Sequence, residues 1–183
     1  MSNAMSVLEG VVSTGFVTVR DAGLTGMVSV RADLTDAATV AALSSRGITV
    51  PAVRQIVDGV AWMAPDELLL VTEYAVAPAL AQKVQAAMAD NHALVHVVSD
   101  ARAVLRVEGA GTKEALAKLC PVDLATLAPG EVRRTRLAQV AAALWLEDAE
   151  NAQIICFRSV ADYVFGALQM SARKGSEVGV FTR

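Results

Sequence analysis

Residues Val53 to Tyr74, VRQIVDGVAWMAPDELLLVTEY, decide the fold of this chain. Two apolar runs, Val53 to Met63 and Glu67 to Tyr74, flank the turn Ala64-Pro65-Asp66, so the stretch predicts a β-hairpin. Upstream, Gly26 to Asp33 (GMVSVRAD) alternates apolar and polar residues as a half-buried strand does. A helix follows it, capped by Thr35 or Asp36 and running to about Arg46, where Gly47 supplies a stop. Downstream, Ala77 to Ala89 is a second helix with Leu80, Val84, Ala87 and Met88 on one face. Ala93 to Ser99 (ALVHVVS) closes the unit as a strand. The order is βαββαβ, the split ferredoxin-like arrangement.

A similar order begins again at Ala103 to Glu108 (AVLRVE), a strand followed by a helix over Thr112 to Leu119 that Thr112 is expected to cap. Val132 to Leu146 reads as one long strand region, broken or bulged near Gln139, with Gln153 to Phe157 as its hairpin partner. Ser159 is expected to cap a last helix reaching about Lys174, with Asp162 three residues on as a short capping box. Trp62 and Trp145 occupy matching places, each near the end of a first hairpin strand and before an acidic turn. The predicted class is therefore α+β, with duplicated ferredoxin-like (βαββαβ) units over about residues 26–100 and 101–175. No Pro/Gly/Ser-rich linker separates them, so residues 5–175 are expected to form one body. Residues 1–4 look like an expression scar ahead of a natural start at Met5, and 176–183 read as a loose tail.

Composition narrows the function. Net charge is −3 with dispersed Lys and Arg, which gives no basic stripe for nucleic acid. The longest apolar run, Val140 to Leu146, falls far short of the roughly 18–20 residues of a membrane span. No secretory signal is visible after Met5, and a cytoplasmic location is expected. Hydrophobic residues make up 54% of the chain and mean hydropathy is +0.45, yet only 4% are aromatic. Such a balance fits a dense Ala/Val/Leu core, or a surface partly covered by another protein.

Reactive constellations are scarce. Gly109-Ala110-Gly111-Thr112-Lys113 follows a strand and opens a helix, but lacks the third glycine of a dinucleotide fingerprint and the spacing of a P-loop. His92 and His96 have no third ligand at a recognisable spacing, so metal binding is not expected. Cys120 and Cys156 read as buried small hydrophobes. The pairs Asp66/Glu67 and Glu147/Asp148 read as solvated turn residues. Arginines remain: Arg102, Arg106, Arg133, Arg134, Arg136 and Arg158 gather in the second half as forks able to grip carboxylates of a partner chain or a folate-like anion.

Several segments together resemble one family. Trp62-Met63-Ala64-Pro65-Asp66-Glu67 is similar to the Trp-x-x-Pro-Asp-Glu hairpin of sarcosine oxidase gamma subunits. Ser99 to Arg102, Leu105 to Gly109, Cys120 to Leu124, Gly130 and Thr135 to Ala138 follow in the family's order. Arg158-Ser159-Val160-Ala161-Asp162-Tyr163 resembles its closing Arg-Ser-x-Ala-Asp-Tyr signature. Two departures are visible: Val164 and Phe165 stand where a tryptophan is usual, and the tail beyond Gly175 is foreign to the pattern.

The resemblance implies a non-catalytic structural subunit of an αβγδ complex that oxidatively demethylates sarcosine to glycine, with tetrahydrofolate accepting the one-carbon unit. FAD, FMN, NAD, zinc and tetrahydrofolate belong to that complex, and no catalytic, cofactor or metal site is expected on this chain. The implied partners are the alpha, beta and delta subunits, with self-association expected of the isolated chain. Arg133, Arg136, Arg158, Asp162 and Tyr163 are the candidate partner-interface residues. The family is similar in fold to the folate-binding region of the glycine-cleavage aminomethyltransferase. That likeness leaves a stand-alone folate-dependent transferase, with Asp100 facing the folate, as the alternative. A ligand-sensing module built on repeated ferredoxin-like units is a third class.

Overall fold

Alternation in Gly26 to Asp33 puts Val28, Val30 and Ala32 on one side of a strand, and the neighbouring amphipathic helices can cover that side. The computed structural model describes residues 4–181 and bears this out. Its elements are β1 (Val12–Thr14), β2 (Thr18–Asp21), β3 (Thr25–Ala32), α1 (Ala37–Ser44), β4 (Ile56–Val57), β5 (Val60–Ala64), β6 (Glu67–Glu73), α2 (Ala77–Ala87) and β7 (Ala93–Val97). Then come β8 (Arg102–Glu108), α3 (Thr112–Ala117), β9 (Arg133–Leu137), β10 (Val140–Leu146), β11 (Asn151–Phe157) and α4 (Ala161–Ser171). The class is mixed α and β, with two antiparallel sheets and four helices among the described residues. The chain divides into two compact units: Thr25–Asp100, and the residues up to Leu24 together with those from Ala101 on.

In the unit Thr25–Asp100 the strand order is β4-β5-β6-β3-β7, every neighbour antiparallel. One sheet face, carrying Val28, Val30, Leu68 and Leu70, packs with Leu43 of α1 and Val84 of α2, all buried. Asp36 is the cap of α1: its carboxylate accepts the Thr39 N–H at 2.9 Å, which also holds the Asp36 carboxyl below its usual range. The run Val53 to Met63 is not one strand. It folds at Asp58-Gly59, both at positive φ (49° and 76°), so that Val57 pairs Val60 in a two-residue hairpin. Gly59 is required there, because a Cβ would lie 2.6 Å from the Val71 carbonyl oxygen.

The other unit has the order β1-β2-β8-β11-β10-β9, again antiparallel throughout. Leu105, Val107, Ile154, Leu144 and Leu146 line the face that meets Leu116 of α3 and Val164 and Leu168 of α4. Four expectations are corrected in this unit. Residues before Gly26, given no element from the sequence, supply β1 and β2, and β2 takes the place beside β8 that nothing after α4 fills. Val132 to Leu146 is broken near Gln139 as expected, but the break is a full reversal at Ala138-Gln139, with Ala138 at φ 49°, giving the β9–β10 hairpin in place of one interrupted strand. Neither Thr112 nor Ser159 caps its helix. The Thr112 hydroxyl donates to the Glu150 carbonyl at 2.7 Å, and Arg158–Val160 forms a 3-10 turn ahead of α4.

The tail is not loose where it is described. The buried Glu114 carboxylate accepts the N–H groups of Val178 and Gly179, the latter at 3.0 Å, and Phe181 packs against the core. Met1 to Asn3 of the expected scar, and Thr182 and Arg183 of the expected tail, lie outside the described residues.

Candidate subunit interface

The sequence of α4 places Ala161, Val164, Phe165 and Leu168 inward, so Asp162, Tyr163, Gly166 and Met170 must lie on its outer side. That outer side forms one wall of a groove of about 840 Å³, shared with the end of α3, the β9–β10 turn and the tail. Tyr163 (45%), Met170 (63%) and Val178 (70%) expose an apolar strip along it, flanked by Asp162 and Arg173. The wall is held in place: Lys118 Nζ donates to the carbonyls of Ser171 (3.1 Å) and Ser176 (2.6 Å), while Glu114 clamps the tail. Gly166 opens the groove midway, and a Cβ there would meet nothing within 4 Å. Glycine inside a helix costs roughly 0.5–1 kcal/mol relative to alanine. Nothing among the described residues requires a glycine at this position, since a side chain there would project into the open groove.

Of the five interface candidates, Asp162 and Tyr163 stand together in this groove, and the three arginines are not among its lining residues. Arg133 is tied to the Glu131 carboxylate (2.7 Å) and the Val132 carbonyl (3.2 Å). Arg136 donates to the Gln139 carbonyl at 2.8 Å, bracing the β9–β10 turn from an exposed position. Arg158, half-buried, donates to the Met5 carbonyl at 3.2 Å. Arg106 grips Glu147 at 2.5 Å, and its neighbour Arg20 bonds Glu108 at 2.9 Å. Gly166, Met170 and Val178 were missed in the sequence. A glycine at an outward position of an amphipathic helix was the available signal.

The remaining polar groups are committed structurally. Gly109 N–H donates to Glu150 O (2.9 Å) and Thr112 N–H to Gly109 O (3.0 Å), so these loop donors are already bonded within the protein. At Gly111 a Cβ would sit 2.5 Å from the Phe16 ring, so this glycine admits an aromatic side chain instead of an anion. Glu67 is not a solvated turn carboxylate: it is 4% exposed and bonded to Arg31 across the β3–β6 ladder at 3.1 Å. Asp100 is exposed and accepts the Tyr74 hydroxyl at 2.8 Å. His92 lies in the turn before β7, and among the described residues no three His, Cys, Asp or Glu gather to hold a metal.

Cys120 and Cys156 are free and buried, and burial pushes both thiols up to about 11 from the ordinary 9.0. The unfolded thiols ionise first, so stability is intact below pH 9 and falls as pH rises from 9 towards 11. Accordingly, a thiol-reactive disulfide reagent at pH 8 is expected to modify neither cysteine until denaturant is added. Rapid labelling of the native chain would contradict this burial.

Comparisons with known proteins agree with one another. The model of the sarcosine oxidase gamma subunit family matches residues 31–174. Sarcosine oxidase subunit gamma of Corynebacterium sp. (strain U-96) is 31% identical over 147 residues, covering 76% of this chain and 71% of that protein. A chain in the solved heterotetrameric sarcosine oxidase from Corynebacterium sp. U-96, in complex with pyrrole 2-carboxylate, superposes with a TM-score of 0.78. It is 29% identical, with 85% of this chain and 83% of that one covered. The glycine cleavage system aminomethyltransferase T from Bartonella henselae shares the fold (TM-score 0.66, 13% identity, 88% of this chain and 48% of that one).

Proposed function

Because the chain belongs to the sarcosine oxidase gamma subunit family, we propose that it is the gamma subunit of a heterotetrameric sarcosine oxidase and serves there as a scaffold without a catalytic site. The observation that carries this is the likeness to a chain of the solved heterotetramer, close in sequence and fold over most of both lengths. In this reading the alpha, beta and delta subunits are its partners in a cytoplasmic assembly. FAD, FMN, NAD, zinc and tetrahydrofolate are held by those chains, which convert sarcosine to glycine.

What supports the scaffold role is the disposition of this chain's polar groups. Arg31, Arg106, Glu114 and Lys118 are spent on its own ladders and tail, and both thiols are buried and neutral. The groove along α4 offers contact: an exposed apolar strip with a small-residue opening and a charged rim, the make-up of a docking surface. Asp162 and Tyr163 would meet the partner there, and Arg133, Arg136 and Arg158, which lie outside this groove, are proposed as further partner contacts. The two sheets also share an order. Counted along each βαββα run, β7-β3-β6-β5 and β2-β8-β11-β10 place equivalent strands in equivalent slots, which supports a duplicated ferredoxin-like pair with the last strand of one copy moved to the chain's start.

A stand-alone folate transferase is not favoured, since Asp100 is exposed and bonded to Tyr74. The test is co-expression with the other oxidase subunits of the same organism. The chain is expected to co-purify with them in equal stoichiometry and to be inactive toward sarcosine alone. A wild-type chain that stays free of the other subunits, or turns over sarcosine unaided, overturns the reading.

A further inference from the structure

Among the described residues the two sheets present four edges, and three of them are blunted. β4 has two residues and β1 three, and β9 carries Arg133, Arg134 and Arg136 in five positions. Short strands and charged side chains are the usual devices against strand addition. β7 has neither. Ala93–Val97 is five residues long, holds no charged residue or proline, and exposes Leu94 (59%), His96 and Val97 (38%). Its inner side is fixed by pairing with β3 from Val28↔Val97 to Ala32↔Ala93.

The orientation of its free groups follows from one bond. Val98 N–H donates to Met27 O at 2.8 Å, so residue 98 faces β3 and, by alternation, so do His96 and Leu94. The N–H and C=O groups of Ala93, Val95 and Val97 therefore point away from the sheet, ready to pair a further strand. At about 3.4 Å per residue the edge is about 17 Å long. A pairing that short buries far less than the roughly 1,000 Å² a specific interface needs by itself. The edge therefore suits one part of a broad contact with a larger chain better than a dimer of this one. With no charged side chain on it, the edge carries none of the groups that would have to be desolvated when an uncharged strand is added.

We propose that β7 is a strand-addition site, occupied in the assembled oxidase by an extended, uncharged strand of another subunit, which rests on the gamma-subunit reading above. The test compares amide hydrogen exchange over residues 93–97 in the free chain and in the co-expressed complex. It also compares assembly of Val97→Pro and Leu94→Lys with that of the wild type. Val97→Pro removes only an outward N–H, and Leu94→Lys puts charge on an exposed position, so both variants should fold as the wild type does by circular dichroism. The expected result is slowed exchange at residues 93, 95 and 97 on assembly, and at least a tenfold lower yield of complex for both variants. A wild-type complex with unprotected β7 amides and unimpaired variants overturns this proposal and leaves the subunit reading standing. Failure of the wild type to associate removes the subunit reading and this one with it. Protection that rises with the concentration of the isolated chain makes the occupant a second copy, which also overturns it.

Discussion

Gly15→Val lowers the stability of the unit that contains β2 and β8 by about 3 kcal/mol, at the upper end of ordinary overpacking costs. A Cβ at position 15 would stand 1.7 Å from the carbonyl oxygen of Ala172 and 2.6 Å from its carbon, both backbone atoms at the end of α4. No rotamer relieves that clash, so the two segments must separate. The next residue then suffers. Phe16 N–H donates to the same Ala172 oxygen at 2.9 Å, and the Phe16 ring lies against Gly111 and beneath Lys118 Nζ, 4.7 Å from its centroid. Pulling Phe16 away gives up a hydrogen bond, a cation–π contact and buried aromatic area together. For a chain of this length 3 kcal/mol corresponds to about a 6–12 °C fall in the midpoint of unfolding. Trp145 lies in this unit and Trp62 in the other, so fluorescence in a Trp62→Phe background follows the affected unit alone. A Gly15→Val midpoint within a degree of the parent would refute the close packing described here.

Gly15 also shows where sequence reading loses resolution. Its backbone is not left-handed; the requirement comes from a carbonyl 157 residues away, which no local pattern announces. The elements that were legible are those whose signal is local. Alternation gave β3, the Pro-Asp turn gave the β5–β6 hairpin, and helical spacing gave α2 and α4. The reversal inside 53–63 was missed, and that inside 132–146 was placed near Gln139 without its form: in each, strand-forming residues flank a two-residue turn that no proline marks. At Asp58-Gly59 the turn chemistry was available and decisive. At Ala138-Gln139 it was not, because an alanine at φ 49° is held there by its surroundings, including its N–H bond to the Leu119 carbonyl.

Family membership was more legible than any site. The motif Trp62 to Glu67 couples a bulged turn to a buried carboxylate: Glu67 faces Arg31 across the ladder while Asp66 takes the other guanidinium nitrogen at 2.9 Å. The closing Arg158 to Tyr163 signature likewise joins a 3-10 turn to the exposed first turn of α4. The groove itself was illegible, since Lys118, Met170 and Val178 lie far apart in sequence and the tail that carries Val178 is held there by Glu114.

At Gly166, stability and assembly are expected to move in opposite directions. Gly166→Ala adds a methyl group into open space and removes the entropic penalty of a helical glycine, so the isolated chain gains roughly 0.5–1 kcal/mol in denaturant unfolding. Gly166→Arg is likewise accommodated by the free chain, because its side chain projects into the groove rather than into the core. Assembly responds otherwise. A guanidinium placed between Tyr163 and Met170 fills the opening a partner would enter and must be desolvated beside apolar surface. The expected loss of affinity for the other subunits is about a hundredfold, equivalent to about 2.8 kcal/mol. Wild-type affinity retained by Gly166→Arg would move the docking surface off α4, whereas lost folding in Gly166→Ala would show that the glycine serves the core. Only a folded Gly166→Arg chain that no longer joins its partners fits a groove kept open for docking.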